Sequence, residues 1–162
     1  MRHFSQSKNW WIFRISTLMA ASGFSRVSGA DRGFQKFAIS SITVAIGDLL
    51  AYDRANEVVI LATSSSTPEE LAGVAVEART TADTTVLVQR ITVDDEYIAS
   101  SANNSDTAHN YHRMLLTDED EVNNTASDDT TDAAVFMQLA TVGAAADKKI
   151  RGRFVTVQDR AA

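Results

Sequence analysis

The 162 residues contain no cysteine and a single proline, Pro68. The lack of cysteine excludes disulfide scaffolds, thiolate zinc sites, iron–sulfur clusters and cysteine nucleophiles. One proline and only seven glycines exclude collagen-like and proline-rich linker architecture. No run approaches the ~20 apolar residues that a membrane-crossing helix needs. There is no Gly-x-Ser-x-Gly elbow, no phosphate-binding glycine-rich loop and no His-Glu-x-x-His helix, the commonest sequence signs of hydrolase, nucleotide and zinc-protease chemistry. What is present is 44% hydrophobic and 22% charged residues, an ordinary globular composition at a length near that of one domain.

The formal charge of −6 is unevenly spread. Residues 1–36 carry a net +5, residues 37–146 a net −14 and residues 147–162 a net +3. An acidic body between basic ends disfavours nucleic acid as a partner, because phosphate neutralisation needs a cationic face on the folded part. It fits a body that faces solvent while its ends dock elsewhere. Neither nucleic acid nor membrane is expected as a partner.

Aromatic residues divide at nearly the same place. Phe4, Trp10, Trp11, Phe13, Phe24, Phe34 and Phe37 lie in the first 37 positions, leaving Tyr52, Tyr97, Tyr111, Phe136 and Phe154 for the rest. A targeting signal would explain Arg2 and Lys8 ahead of Trp10-Trp11-Ile12-Phe13, but Arg14 interrupts the apolar run. A helix packed on its own domain would place Trp11, Ile15, Leu18 and Met19 on one face. The third reading is a docking arm over residues 1–37. Ser22-Gly23, Ser28-Gly29 and Gly33 break the segment into short pieces, with Phe and Arg recurring between them. Tryptophan and arginine are enriched among residues that dominate interface energetics, and such a chain can order on a partner. The arm is the reading adopted, with Trp10, Trp11, Phe13, Arg14, Phe24, Arg26 and Phe34 as its contacts.

Residues 38–162 read as a β-rich body, a small barrel or sandwich. Ile42–Ile46 alternates with period two, and Leu49–Tyr52 continues as a short strand. A turn at Asp53–Asn56 leads to Glu57–Ala62, then come a polar loop at Thr63–Pro68 and strands over Leu71–Ala78 and Thr85–Ile91. Residues 94–132 are dominated by acids and amides, so they are expected to be long outer loops around one hairpin, with only Tyr111–Leu116 as strand. Ala133–Ala140 is ambiguous between helix and strand. Val135, Met137 and Leu139 alternate there, which favours a strand if it pairs with Gly152–Val157.

Candidate chemistry is sparse. His109 and His112 are three apart, a spacing that faces opposite ways on a strand, and no third ligand stands near them in sequence. The run Asp118-Glu119-Asp120-Glu121 invites calcium, but an EF-hand loop starting at Asp118 would need oxygen at Val122 and glycine at Asn123. No pair among the body's carboxylates stands out for acid–base catalysis. The expectation is a protein without enzymatic activity, metal or cofactor.

One stretch has a familiar order. Ile42-Thr43-Val44-Ala45-Ile46-Gly47-Asp48-Leu49-Leu50 is followed by Val58-Val59-Ile60 with Ala62-Thr63-Ser64-Ser65-Ser66-Thr67. Then come Leu71-Ala72-Gly73-Val74-Ala75-Val76-Glu77-Ala78 and Thr85-Val86-Leu87-Val88. This resembles the capsid decoration (cement) proteins of tailed bacteriophages, over about fifty residues, with Ala133–Val142 and Ile150–Gln158 following more loosely. The resemblance implies a structural virion protein on the outer capsid surface that bridges neighbouring major capsid subunits. It also implies a homo-oligomer, with a trimer favoured. The alternative is a receptor- or glycan-binding virion module that uses the 94–132 loops.

Overall fold

The computed structural model describes residues 23–29, 33–127 and 134–155. Trp10, Trp11, Phe13 and Arg14 lie outside the described residues. The described chain is mainly β, as expected. In order it forms β1 (Ser25–Ser28), β2 (Phe34–Ala38), β3 (Leu49–Asp53), β4 (Val58–Leu61), β5 (Leu71–Ala75) and β6 (Thr85–Gln89). There follow β7 (Glu96–Ser101), β8 (Arg113–Asp118), β9 (Glu121–Ser127), β10 (Phe136–Val142) and β11 (Lys149–Phe154), with short 3-10 turns at Thr107–His109 and Ala145–Asp147.

The strands make two sheets. The first is antiparallel, in the order β2-β6-β5-β3-β4. Its interior gathers Ile39, Val44, Leu50, Val59, Ala75, Val86 and Val88. The β3–β4 hairpin is set by Asp53, whose carboxylate accepts from the Ala55 amide at 3.0 Å and from Asn56 Nδ2 at 2.7 Å. Such local bonds make Asp a turn former. The second sheet runs β1-β7-β11-β10-β8-β9 and closes into a barrel because β9 returns to pair in parallel with the end of β7, Ser100 opposite Glu121 and Ser101 opposite Val122. One edge of β7 is thus shared, with β1 along its first half and β9 at its end.

The two sheets are joined through strands buried on both faces. Side chains alternate along a strand, so Leu49 and Ala51 enter the second core while Leu50 enters the first. Val74 and Ala75 divide the same way on β5. This explains why Leu49-Leu50-Ala51 is continuously apolar where a half-exposed strand would alternate. The Leu49 amide also donates to the Glu119 carbonyl at 2.7 Å, which ties β3 to the β8–β9 turn.

Four rings fill the barrel. Phe154 lies 4.9 Å from Tyr97, 5.3 Å from Phe24 and 5.4 Å from Phe136 between ring centroids. The Tyr97 and Phe136 contacts are edge-to-face, the arrangement that ring quadrupoles favour. Gly152 leaves room for this cluster, since a Cβ there would stand 2.5 Å from Phe136 Cε1.

Several sequence expectations need correction. Phe24 is not a docking ring: it is 2% exposed and packs in the second core. Nor does residue 37 end a detached arm, because β1 pairs with β7 and β2 with β6. Residues 42–46 form no strand, only a bridge between Val44 and Arg79. There the Asp48 carboxylate takes the Ala45 amide at 2.7 Å and bends the chain. The 94–132 region is not loops around one hairpin, since it supplies β7, β8 and β9. Tyr97, Ala99, Met114, Leu116 and Val122 face inward, and the acids and amides occupy mostly the other positions. The segment 133–140 is strand and does pair with the last one, Phe136 opposite Phe154. Within β10, however, Phe136 and Gln138 are the buried residues and Met137 and Leu139 only half-buried.

Two substitutions separate the core role of Phe24 from a surface role. Phe24→Ala is expected to cost about 3–5 kcal/mol, read as a lower midpoint in urea. Phe34→Ala should change stability by less than about 0.5 kcal/mol. Small and equal effects would place Phe24 outside the core.

Candidate functional site

The chain enters the body at a fixed point. The Gly23 amide donates to Ser100 Oγ at 3.2 Å and the Phe24 amide to the Gly47 carbonyl at 2.8 Å. Gly23 has φ +85°, and a Cβ there would come within 2.5 Å of the Gly47 carbonyl oxygen. Only glycine meets both conditions without strain. Just beyond this root, Arg26 on β1 stands opposite Tyr97 and is half-buried. Burial and then the Asp95 carboxylate push the Tyr97 hydroxyl above the usual phenol range, and Arg26 pulls it partly back. Arg26 therefore sits within the electrostatic reach of a buried group. Of the expected arm contacts, Phe34 alone is a well-exposed ring among the described residues, at 56%. It lies at the start of the edge strand β2, on which Gln35 and Lys36 are exposed as well.

A second feature is the segment between β7 and β8, residues 102–112. Two buried amide side chains hold it. Asn124 Oδ1 accepts from the Asn103 amide at 2.9 Å, and Asn124 Nδ2 donates to the Asn104 carbonyl at 2.9 Å. Gln138 Nε2 donates to the Asp106 carbonyl at 2.6 Å and to Asn110 Oδ1 at 2.8 Å. Between these anchors the Asp106 carboxylate caps the 3-10 turn through the Ala108 amide at 2.9 Å. Tyr111, expected to begin a strand, instead sits at φ +68° with its amide on the Gln138 carbonyl at 2.7 Å, and its ring is 73% exposed. Sequence reasoning missed it because His-Asn-Tyr-His reads as the approach to a strand. No sequence signal marks it, since Asn110 before it is extended at φ −61° and the left-handed conformation falls on Tyr111 itself.

Of the candidate chemical groups, His109 ends the 3-10 turn and His112 follows it, joined by a bond from the His112 amide to the His109 carbonyl at 3.1 Å. Among the described residues no group of three or more His, Asp or Glu side chains is placed to hold a metal ion. The acidic run forms the tight β8–β9 turn, where the Asp120 amide donates to Asp118 Oδ1 at 3.3 Å. Desolvation, and then the Asp120 carboxyl beside it, push Asp118 up to about 6. Asp48, below this turn, is also raised, by burial first and then by Glu119 and Asp120, while the Ala45 amide opposes the shift. An open groove of about 580 Å³ lies on the outer side of β3–β4, with Tyr52, Arg54, Ile60 and Glu70 on its walls.

The Asp118 shift carries a sign that can be tested. An acid whose folded value lies above its ordinary 3.8 resists ionisation in the fold. Its unfavourable contribution is complete above about pH 6 and gone below the unfolded value. Asp118→Asn should therefore be more stable than the wild type at pH 7, and the difference should shrink as the pH falls to about 4. Chemical denaturation at both pH values measures this, and a gap that widens on acidification would contradict the assignment.

No protein-family model matches the chain, and no curated protein matches it in sequence.

Proposed function

We propose that this chain is a structural virion protein of the capsid-decoration type. It binds the outer surface of an assembled shell and bridges neighbouring major capsid subunits. The observation that carries the reading is the anchoring of Phe24. The buried ring fastens the root of residues 1–22 to the seam of the body, so a partner held by that segment is held to the whole fold. Those 22 residues contain Arg2, Lys8 and Arg14 with no carboxylate, beside Phe4, Trp10, Trp11 and Phe13. Rings and guanidinium groups of this kind are the usual hot spots of an interface. Phe34 and Lys36, exposed on the edge strand β2, extend the candidate contact onto the body. The predominantly acidic remainder keeps the outward side hydrated and charged. A ligand that binds only the assembled shell stabilises it by mass action, so many modest contacts suffice.

The structure also sets where the test cut belongs. Removing residues 1–36 would take away β1, Phe24 and most of β2, and would unfold the body. Removing residues 1–22 leaves every described strand in place. The shortened chain is expected to keep its thermal midpoint within a few degrees and to lose co-sedimentation with assembled phage capsids that the full chain binds. Undiminished co-sedimentation of a folded 23–162 chain would overturn the proposal.

A further inference from the structure

Tyr111 is the most exposed large apolar side chain among the described residues. Its backbone lies in the left-handed region at φ +68°, a conformation that a bulky L-residue seldom adopts. Strain of this kind persists only where the surroundings over-determine it. Here they do. The Tyr111 amide is bound by the Gln138 carbonyl, and the side chain of the same fully buried glutamine holds Asn110, the residue before it. Further along, Asn124 fixes Asn103 and Asn104, and the Ser105 amide donates to the Ala145 carbonyl at 3.0 Å. The loop is therefore tied to the barrel at both ends and in its middle, while the ring it presents contributes little to the core. A rigid ring offered to solvent loses little conformational entropy on binding.

The loop's chemistry narrows what the ring would meet. Residues 102–112 hold Asn103, Asn104, Asp106, Thr107, His109, Asn110 and His112, with one carboxylate and no Lys or Arg. The ammonium of Lys148 reaches the segment, but it is bound to the Ala102 carbonyl at 2.9 Å, at the loop's first residue. Phosphate, nucleic acid and anionic lipid all call for clustered cations, which this loop lacks. A pyranose fits it better. One face of the sugar is a patch of C–H groups that stacks on an aromatic ring, and its rim of hydroxyls pairs with amide, carboxylate and imidazole groups. We infer that the 102–112 loop, with Tyr111 as its stacking platform, binds neutral carbohydrate. The inference is independent of the shell contact proposed above, and its test needs no capsid.

The full chain would be applied to a printed array of neutral gluco-, galacto-, manno- and N-acetylhexosamine oligosaccharides beside sulfated and sialylated ones, and hits would be titrated by calorimetry. Tyr111→Phe keeps the ring and should stay within about threefold of the wild type. Tyr111→Gly suits the positive φ and preserves the backbone while removing the ring, so the thermal midpoint should hold or rise. Affinity should fall about tenfold or more. The inference is overturned if the wild type binds no neutral sugar, if it binds only sulfated or sialylated ones, or if Tyr111→Gly binds as well as the wild type.

Discussion

The structure depends on one strand that has no outside for most of its length. β3 sends Leu50 into one core and Leu49 and Ala51 into the other, so neither core can be completed without it. Burial of such side chains contributes about 1.5–3 kcal/mol for a leucine, and here adjacent residues of one strand stabilise both compartments. The neighbouring strand β5 repeats the arrangement with Val74 and Ala75. A two-sheet protein of this kind behaves as one cooperative unit, and a charge placed at Leu49 or Leu50 would damage both sheets at once.

The barrel is organised around a ring that arrives from far away in sequence. Phe24 joins Tyr97, Phe136 and Phe154, and its amide is bound to Gly47. This places the boundary between body and leading segment at Gly23, a position fixed by geometry because a side chain there would strike the Gly47 carbonyl. The functional reading rests on the same fact, since the segment that carries both tryptophans leads in sequence to a ring buried in the aromatic core.

How much of this was legible in the sequence follows from local contrast. β3, β4 and β6 could be read because their apolar residues are dense and end at clear turns such as Asp53–Asn56. β8 was legible in part, as the expected strand Tyr111–Leu116, but β7 and β9 were hidden because polar residues flank their inward-facing ones, so average polarity masked the period of two. Tyr97 and Ala99, Leu116 and Val122 were the visible trace of it. The alternation of Val135, Met137 and Leu139 pointed correctly to a strand, yet of the three only Val135, just before β10, is buried, because within the strand the barrel accepts a glutamine, Gln138, whose amide serves the neighbouring loop. Phe24 could not be placed from its neighbours: beside Arg26 and Gly23 it looks like part of an arm, and only contacts about 110 and 130 residues away reveal its role. Tyr111 was invisible for a related reason, since its conformation is imposed by Gln138 from another strand.

The placement of β11 sets the order in which the chain can mature. The first sheet has all but β2 between residues 49 and 89, with β2 itself close upstream, so it can assemble while later residues are still being synthesised. The barrel cannot, because β11 is inserted between β7 and β10. Until β11 is made, the core that takes Phe24, Leu49 and Ala51 lacks Ile150 and Phe154, and nascent chains crowded on one message expose matching sticky surfaces to one another.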